Sequence, residues 1–137
     1  MQYTHFTLAY WCVLVAALLP VVCAGLAKGG RIGKPSDAGG YDNDDPRAWL
    51  ARQTQWRARA NAAQSNSFEA LPFFFVAVLI AQQLGTRQTL VDILAFMFVL
   101  LRMVYIMMYV SGFATLRTLV WTAAFAVNVA LLFAGYH

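Results

Sequence analysis

Residues 57–73 read RARANAAQSNSFEALPF, and an apolar run carries on from there to Ala81. Read as a helix, Arg59, Ala62, Asn66, Glu69 and Phe73 recur at spacings of three and four and so share one face. The apolar run 70–81 holds only 12 residues. At 1.5 Å per residue it would reach roughly 18 Å, well short of the about 30 Å of hydrocarbon in a bilayer. A spanning helix here must therefore recruit residues 60–69, and it carries Asn66 and Glu69 into the membrane. An ionisable group inside a membrane is costly, which marks this stripe as a candidate functional site.

The rest of the chain has the same bias. Of its 137 residues, 61% are hydrophobic and 12% charged, and the mean hydropathy is +0.58. A soluble domain is about half apolar and about a quarter charged. The expected class is an all-α integral membrane protein forming a single domain over residues 1–137. The net charge of +4 arises mostly in one loop, and nothing resembles a nucleic-acid module. His5 and His137 are terminal and have no metal-ligand company. There is no Cys/His cluster, nucleotide loop or Ser-His-Asp pattern, so no metal is expected. Cys12 and Cys23 lie eleven residues apart on one apolar run, about 16 Å along a helix, too far to bridge each other. The run 6–27 lacks a basic segment before it and is long for a cleaved signal, so it reads as a retained helix.

Taken in order, the spans are expected at about 6–27, 46–84, 88–110 and 116–136, with a glycine-, proline- and aspartate-rich loop at 28–45. Pro20 is expected to bend the first. Asp44 or Asp45 before Pro46 has the form of a helix start, and Gly112 ends the third span. Short connections make an antiparallel four-transmembrane-helix bundle. Lys28, Arg31, Lys34, Arg47, Arg52, Arg57 and Arg59 crowd the first loop and the start of the second span, and Arg117 lies on the same side. The opposite side has Arg87. By the positive-inside rule the long loop is cytoplasmic and both termini face out.

In this topology polar residues of three helices meet at one depth. Arg59, Asn66 and Glu69 come from the second span, Arg102, Tyr105 and Tyr109 from one face of the third, and Arg117 and Thr118 from the mouth of the fourth. Pro72 leaves the Phe68 carbonyl without its helical donor beside Glu69. One reading pairs Glu69 with Arg102 and makes the tyrosines interhelical glue. The other gives the surplus of arginines over one carboxylate to a bound anion. Asp92 is expected to form a separate, solvated pair with Arg87.

The segments RANAAQSNSFEALPF (59–73), RMVYIMMY (102–109) and LRTLVW (116–121) resemble the MAPEG family, the membrane-associated proteins in eicosanoid and glutathione metabolism. The resemblance covers nearly the whole chain. The N-x-x-E-x-x-P-x-F element at 66–74 is moderately specific and gains force from the two later arginines. The loop KPSDAGGYDNDDPR (34–47) is similar to that of short bacterial members, which implies a bacterial inner membrane. The resemblance implies a homotrimer with glutathione bound between subunits as co-substrate. It implies that Asn66, Glu69, Arg102 and Tyr109 hold glutathione, with Tyr105 on the same face. It further implies that Arg117 stabilises the thiolate, with Thr118 where some members place a serine and Arg31 as a further loop contact. One position departs from the pattern: where the family carries an arginine four residues before the asparagine, this chain has Ala62, and Arg59, one turn earlier, is the candidate substitute.

Three functions follow. The first is a glutathione transferase or peroxidase acting on lipophilic electrophiles. The second is a non-catalytic trimer binding another anion or a lipid headgroup, and the third a small transporter with Glu69 as its proton site.

Overall fold

The apolar runs become long helices in the computed structural model, which describes residues 5–137. The stretch ahead of Phe6, which bears on the retained-helix reading, falls mostly on residues 1–4, outside the described residues. Among the described residues, four helices are long and apolar enough to cross a membrane. These are α1 (Leu8–Lys28), α3 (Gln55–Gln83), α4 (Gln88–Ser111) and α5 (Ala114–Phe133); a short α2 (Pro46–Ala51) follows the loop. The protein is an all-helical four-span bundle. In it α1 lies mainly against α3, α4 against α5, and α3 also touches α4 and α5.

Small residues let the helices approach closely. Ala9, Ala16, Ala27, Ala60, Ala63, Ala77, Ala81, Ala95 and Ala124 are all buried, and Phe74 stacks on Phe98 at 4.3 Å between ring centres. Large apolar side chains such as Leu14, Leu18, Leu79, Leu100, Met107 and Leu119 are exposed. A water-soluble bundle would bury them; a lipid-facing one need not.

Asp45 caps α2 by accepting from the Ala48 amide at 3.4 Å, with Pro46 in the first turn as expected. The expected single helix over 46–84 is, however, two helices. Trp49 is buried with its ring edge-on to Tyr41 of the loop, at 5.1 Å. The Gln53 side chain closes α2 by donating to the Trp49 carbonyl at 2.9 Å. Thr54 is then extended, and Gln55 adopts φ +55°, unusual for a non-glycine residue. Docking of Trp49 onto the loop thus outweighs continuation of the helix.

At the loop end, the first turns of α3 serve the ends of its neighbours. Arg57 Nη1 donates to the Ala27 carbonyl at 3.0 Å, and Arg59 Nε to the Val110 carbonyl at 2.9 Å. Both carbonyls lie in the last turns of helices, where a cation is favoured. Gly112, at φ +86°, ends α4 in a left-handed cap.

At the opposite end Asp92 does not form the expected pair with Arg87. Its Oδ1 accepts from the Ala9 amide at 2.9 Å and from Gln88 Nε2 at 2.7 Å. The carboxylate therefore caps the N-terminus of α1, where orphan amides and the helix dipole attract an anion more strongly than an exposed guanidinium does. Asp92→Ala is expected to destabilise the detergent-purified protein by about 1–2 kcal/mol, with Asp92→Asn losing less because it keeps an acceptor. Equal melting temperatures for Asp92→Ala and the parent would remove the cap from this account.

Candidate functional site

Two adjoining cavities open along the polar stripe of α3. The wider, about 540 Å³, is lined by Ala62, Asn66 and Glu69 of α3, Tyr105 and Tyr109 of α4, and Arg117, Thr118 and Trp121 of α5. The narrower, about 170 Å³, lies between α3, α4 and α5 and includes Arg102, Phe98 and Asn128. Asn66, Glu69 and Trp121 line both. Helical spacing explains the convergence: residues three, four and seven apart return to the same face on each of the three helices.

The arginines are held by aromatic faces and hydrogen bonds. Arg102, 3% exposed, donates through Nη2 to Asn66 Oδ1 at 2.8 Å and to Ser67 Oγ at 3.4 Å. Its guanidinium carbon lies 4.2 Å from the centre of the Tyr105 ring. Tyr105 meets Tyr109 edge-on at 5.7 Å, and the Arg117 guanidinium lies 4.4 Å over Tyr109. The result is a cation–ring–ring–cation ladder that fixes both guanidiniums without a carboxylate; each such contact contributes about 0.5–2 kcal/mol.

The Glu69–Arg102 ion pair does not form among the described residues. Arg102 turns to Asn66 and Ser67, while Glu69 is exposed on the bundle surface. Thr118 lines the wider cavity and donates its hydroxyl to the Ala114 carbonyl at 3.1 Å. Arg59 is the sequence candidate that the fold takes elsewhere. Its guanidinium closes α4 at Val110 and lines neither cavity. Arg31 likewise stays in the loop, where Nη1 meets the Ala38 carbonyl at 3.5 Å. Across the two cavities, then, two guanidiniums, Arg102 and Arg117, face one carboxylate, Glu69. The arrangement suits a ligand that is anionic overall and carries one cationic group.

Comparison with protein families decides the lineage: the model of the MAPEG family matches residues 8–136. The chain belongs to the MAPEG family. No curated protein and no solved structure matches it. MAPEG membership supports, in general terms, a membrane-bound function in glutathione or eicosanoid chemistry. Within this MAPEG bundle the sequence reading does not single out Ser67, Trp121, Phe125 or Asn128. Ser67 follows Asn66 and supplies the second acceptor for Arg102. Trp121 stacks on Phe125 at 5.5 Å with ring planes 10° apart. The 117–121–125 spacing repeats every four residues, and Asn128 is the only polar side chain in 123–133, which are the signals that point to them.

Proposed function

We propose that this MAPEG chain binds glutathione across the two adjoining cavities, which meet at Asn66, Glu69 and Trp121, and presents its thiolate to lipophilic electrophiles. The observation that supports the reading best is the Arg102–Tyr105–Tyr109–Arg117 ladder, which holds two guanidiniums beside a single carboxylate. Glutathione offers carboxylates, an ammonium and a thiol. Arg102 and Asn66 would take a carboxylate, Glu69 the ammonium, and Arg117 the sulfur. A free thiol has a pKa of about 8.5, and a fixed guanidinium favours its thiolate, the nucleophilic form. In transfer the sulfur lone pair forms a C–S bond while the leaving group departs with its electron pair. With a lipid hydroperoxide the sulfur takes the distal oxygen, and a second glutathione returns the disulfide, water and the alcohol.

The exposure of Glu69 supports the homotrimer. A carboxylate on the open face of a membrane helix needs cover by protein, and a second copy of the chain would close the cavity over it. The lysine and arginine asymmetry supports a cytoplasmic loop end, at a bacterial inner membrane, with both termini outside.

Glutathione is expected to raise the melting temperature of the detergent-purified protein. A ligand of the native state stabilises by about 2.7 kcal/mol at a hundred times its Kd. No shift at millimolar glutathione would sink the proposal. Ala62 favours a second reading, a trimer that binds another anion or a lipid headgroup without catalysis, because Arg59 lines neither cavity. A shift with inorganic phosphate or anionic lipid but none with glutathione would select it.

A further inference from the structure

The charge of Asp92 meets no cation among the described residues, since the pair with Arg87 does not form. Both of its hydrogen bonds, from the Ala9 amide and from Gln88 Nε2, fall on Oδ1. Oδ2 accepts none, and it is not enclosed: among the described residues, the buried side-chain oxygens without a partner are those of Gln64, Thr86 and Asn128. One oxygen of the carboxylate is thus engaged in capping α1 while the other stays open.

Asp92 also lines a groove of about 330 Å³ between the start of α1 and the first turns of α4, at the end of the bundle away from the arginine-rich loop. The other walls are Leu8 of α1 and Thr89, Ile93, Phe96 and Met97 of α4. On α4 these residues recur at spacings of three and four, so they form one stripe. From Thr89 to Met97 that stripe runs about 12 Å along the helix. It begins with a hydroxyl, passes the carboxylate one turn on, and ends on three apolar side chains that are all exposed, Ile93, Phe96 and Met97. No arginine, lysine or histidine lines the groove. A charge on a spanning helix is costly without a partner, and these walls provide none. The order of the stripe, charge at the membrane edge and apolar surface beneath, is that of an amphiphile lying along the helix. We infer that the groove holds a phospholipid with a primary ammonium headgroup, whose N–H groups donate to Asp92 Oδ2 while one acyl chain lies along Ile93, Phe96 and Met97. Thr89 offers its hydroxyl to the phosphodiester at the mouth. A primary ammonium brings three donors on a compact charge, a trimethylammonium brings none, and an anionic headgroup is repelled. The site shares no residue with the two cavities assigned to glutathione. Lipid held there ties the start of α1 to α4 at the membrane edge.

The test uses full-length protein purified in detergent and stripped of lipid. It is titrated with dioleoyl phosphatidylethanolamine and with the phosphatidylcholine and phosphatidylglycerol of the same chains, and bound lipid is counted by native mass spectrometry. Phosphatidylethanolamine is expected to bind about tenfold tighter than the other two, the scale of one charge-assisted hydrogen bond. Asp92→Asn keeps an oxygen for the Ala9 amide but puts an amide nitrogen in place of Oδ2, so it should erase the preference. Ile93→Trp fills the groove and leaves the carboxylate in place; it should bring phosphatidylethanolamine down to the level of the other lipids, and it serves also if Asp92→Asn fails to fold. Equal affinity for the three lipids in the parent protein overturns the inference, as does phosphatidylcholine binding as tightly as phosphatidylethanolamine. A preference that survives in either variant overturns it too. So does a parent protein that retains no lipid, which would leave the groove to a second copy of the chain. Glutathione is absent throughout, so this result and the glutathione melting shift stand or fall separately.

Discussion

In Arg117→Ala the thiolate absorbance of the glutathione-loaded protein is expected to fall about twentyfold near pH 7. An ordinary thiol of pKa about 8.5 is only about 3% ionised at that pH. An opposite charge within about 4–6 Å lowers a pKa by roughly 1–3 units, and two units make the bound thiol about three-quarters thiolate. The sign is definite. The anion is favoured by the guanidinium, so the parent protein should show it from about pH 6.5 upward and lose it as the pH falls through that value. The variant should show it only near about pH 8.5. Arg117→Lys keeps a cation and should recover part of the shift, although an ammonium stacks less well over Tyr109 than the planar guanidinium at 4.4 Å. A titration midpoint unchanged in Arg117→Ala removes the residue from its role.

Arg102→Met separates binding from folding. Arg102 is buried among helices with Asn66 and Ser67 as neutral acceptors and no ion-pair partner among the described residues. Burying a cation costs several kcal/mol, and an apolar side chain of similar length is often tolerated as well or better. The ligand-free melting temperature of Arg102→Met should therefore fall by no more than the equivalent of about 1–2 kcal/mol, since two hydrogen bonds and the Tyr105 ring contact are lost while a desolvated charge is removed. Glutathione affinity should drop about ten- to a hundredfold, the value of one charge-assisted hydrogen bond. A variant that unfolds in detergent would show the guanidinium to be structural. One that keeps the full glutathione-dependent shift would place the ligand elsewhere.

The four spans were legible because a membrane demands long apolar runs, and the charges that interrupt them are few. The Asp45–Pro46 start was legible because a cap is local chemistry. The break after α2 was not, since Arg52, Gln53 and Thr54 include neither glycine nor proline. It depends on Trp49 meeting Tyr41, a contact made only in the folded chain. Asn66, Glu69, Tyr105, Tyr109, Arg117 and Thr118 converge on one cavity because side-chain periodicity alone brings them there. Arg59 shares their face by spacing, yet its long side chain is drawn to a carbonyl at the end of α4, 51 residues away in sequence. Sequence proximity assigns Asp92 to Arg87, yet its carboxylate caps an amide 83 residues distant. Sequence proximity is a poor guide to where an ionised group in a bundle finds its partner, because helix termini compete strongly for it.

The polar ties at the two ends of the bundle are unevenly shared. Arg57 and Arg59 fasten α3 to α1 and α4 at the loop end, and Asp92 with Gln88 and Gln82 fastens the same three helices at the other. The hydroxyls of Thr118 and Thr122 on α5 bond within their own helix. Among the described residues, the only polar link from α5 to this frame is the guanidinium of Arg117 resting on Tyr109. The other contacts of α5 with α3 and α4 are apolar, among them Phe73 edge-on to Phe125 at 5.5 Å. Among the described residues, the side chain proposed to meet the sulfur is thus also the polar tie between α5 and the other three helices. If Arg117 left the ring to meet a ligand, α5 would give up that tie in the same step.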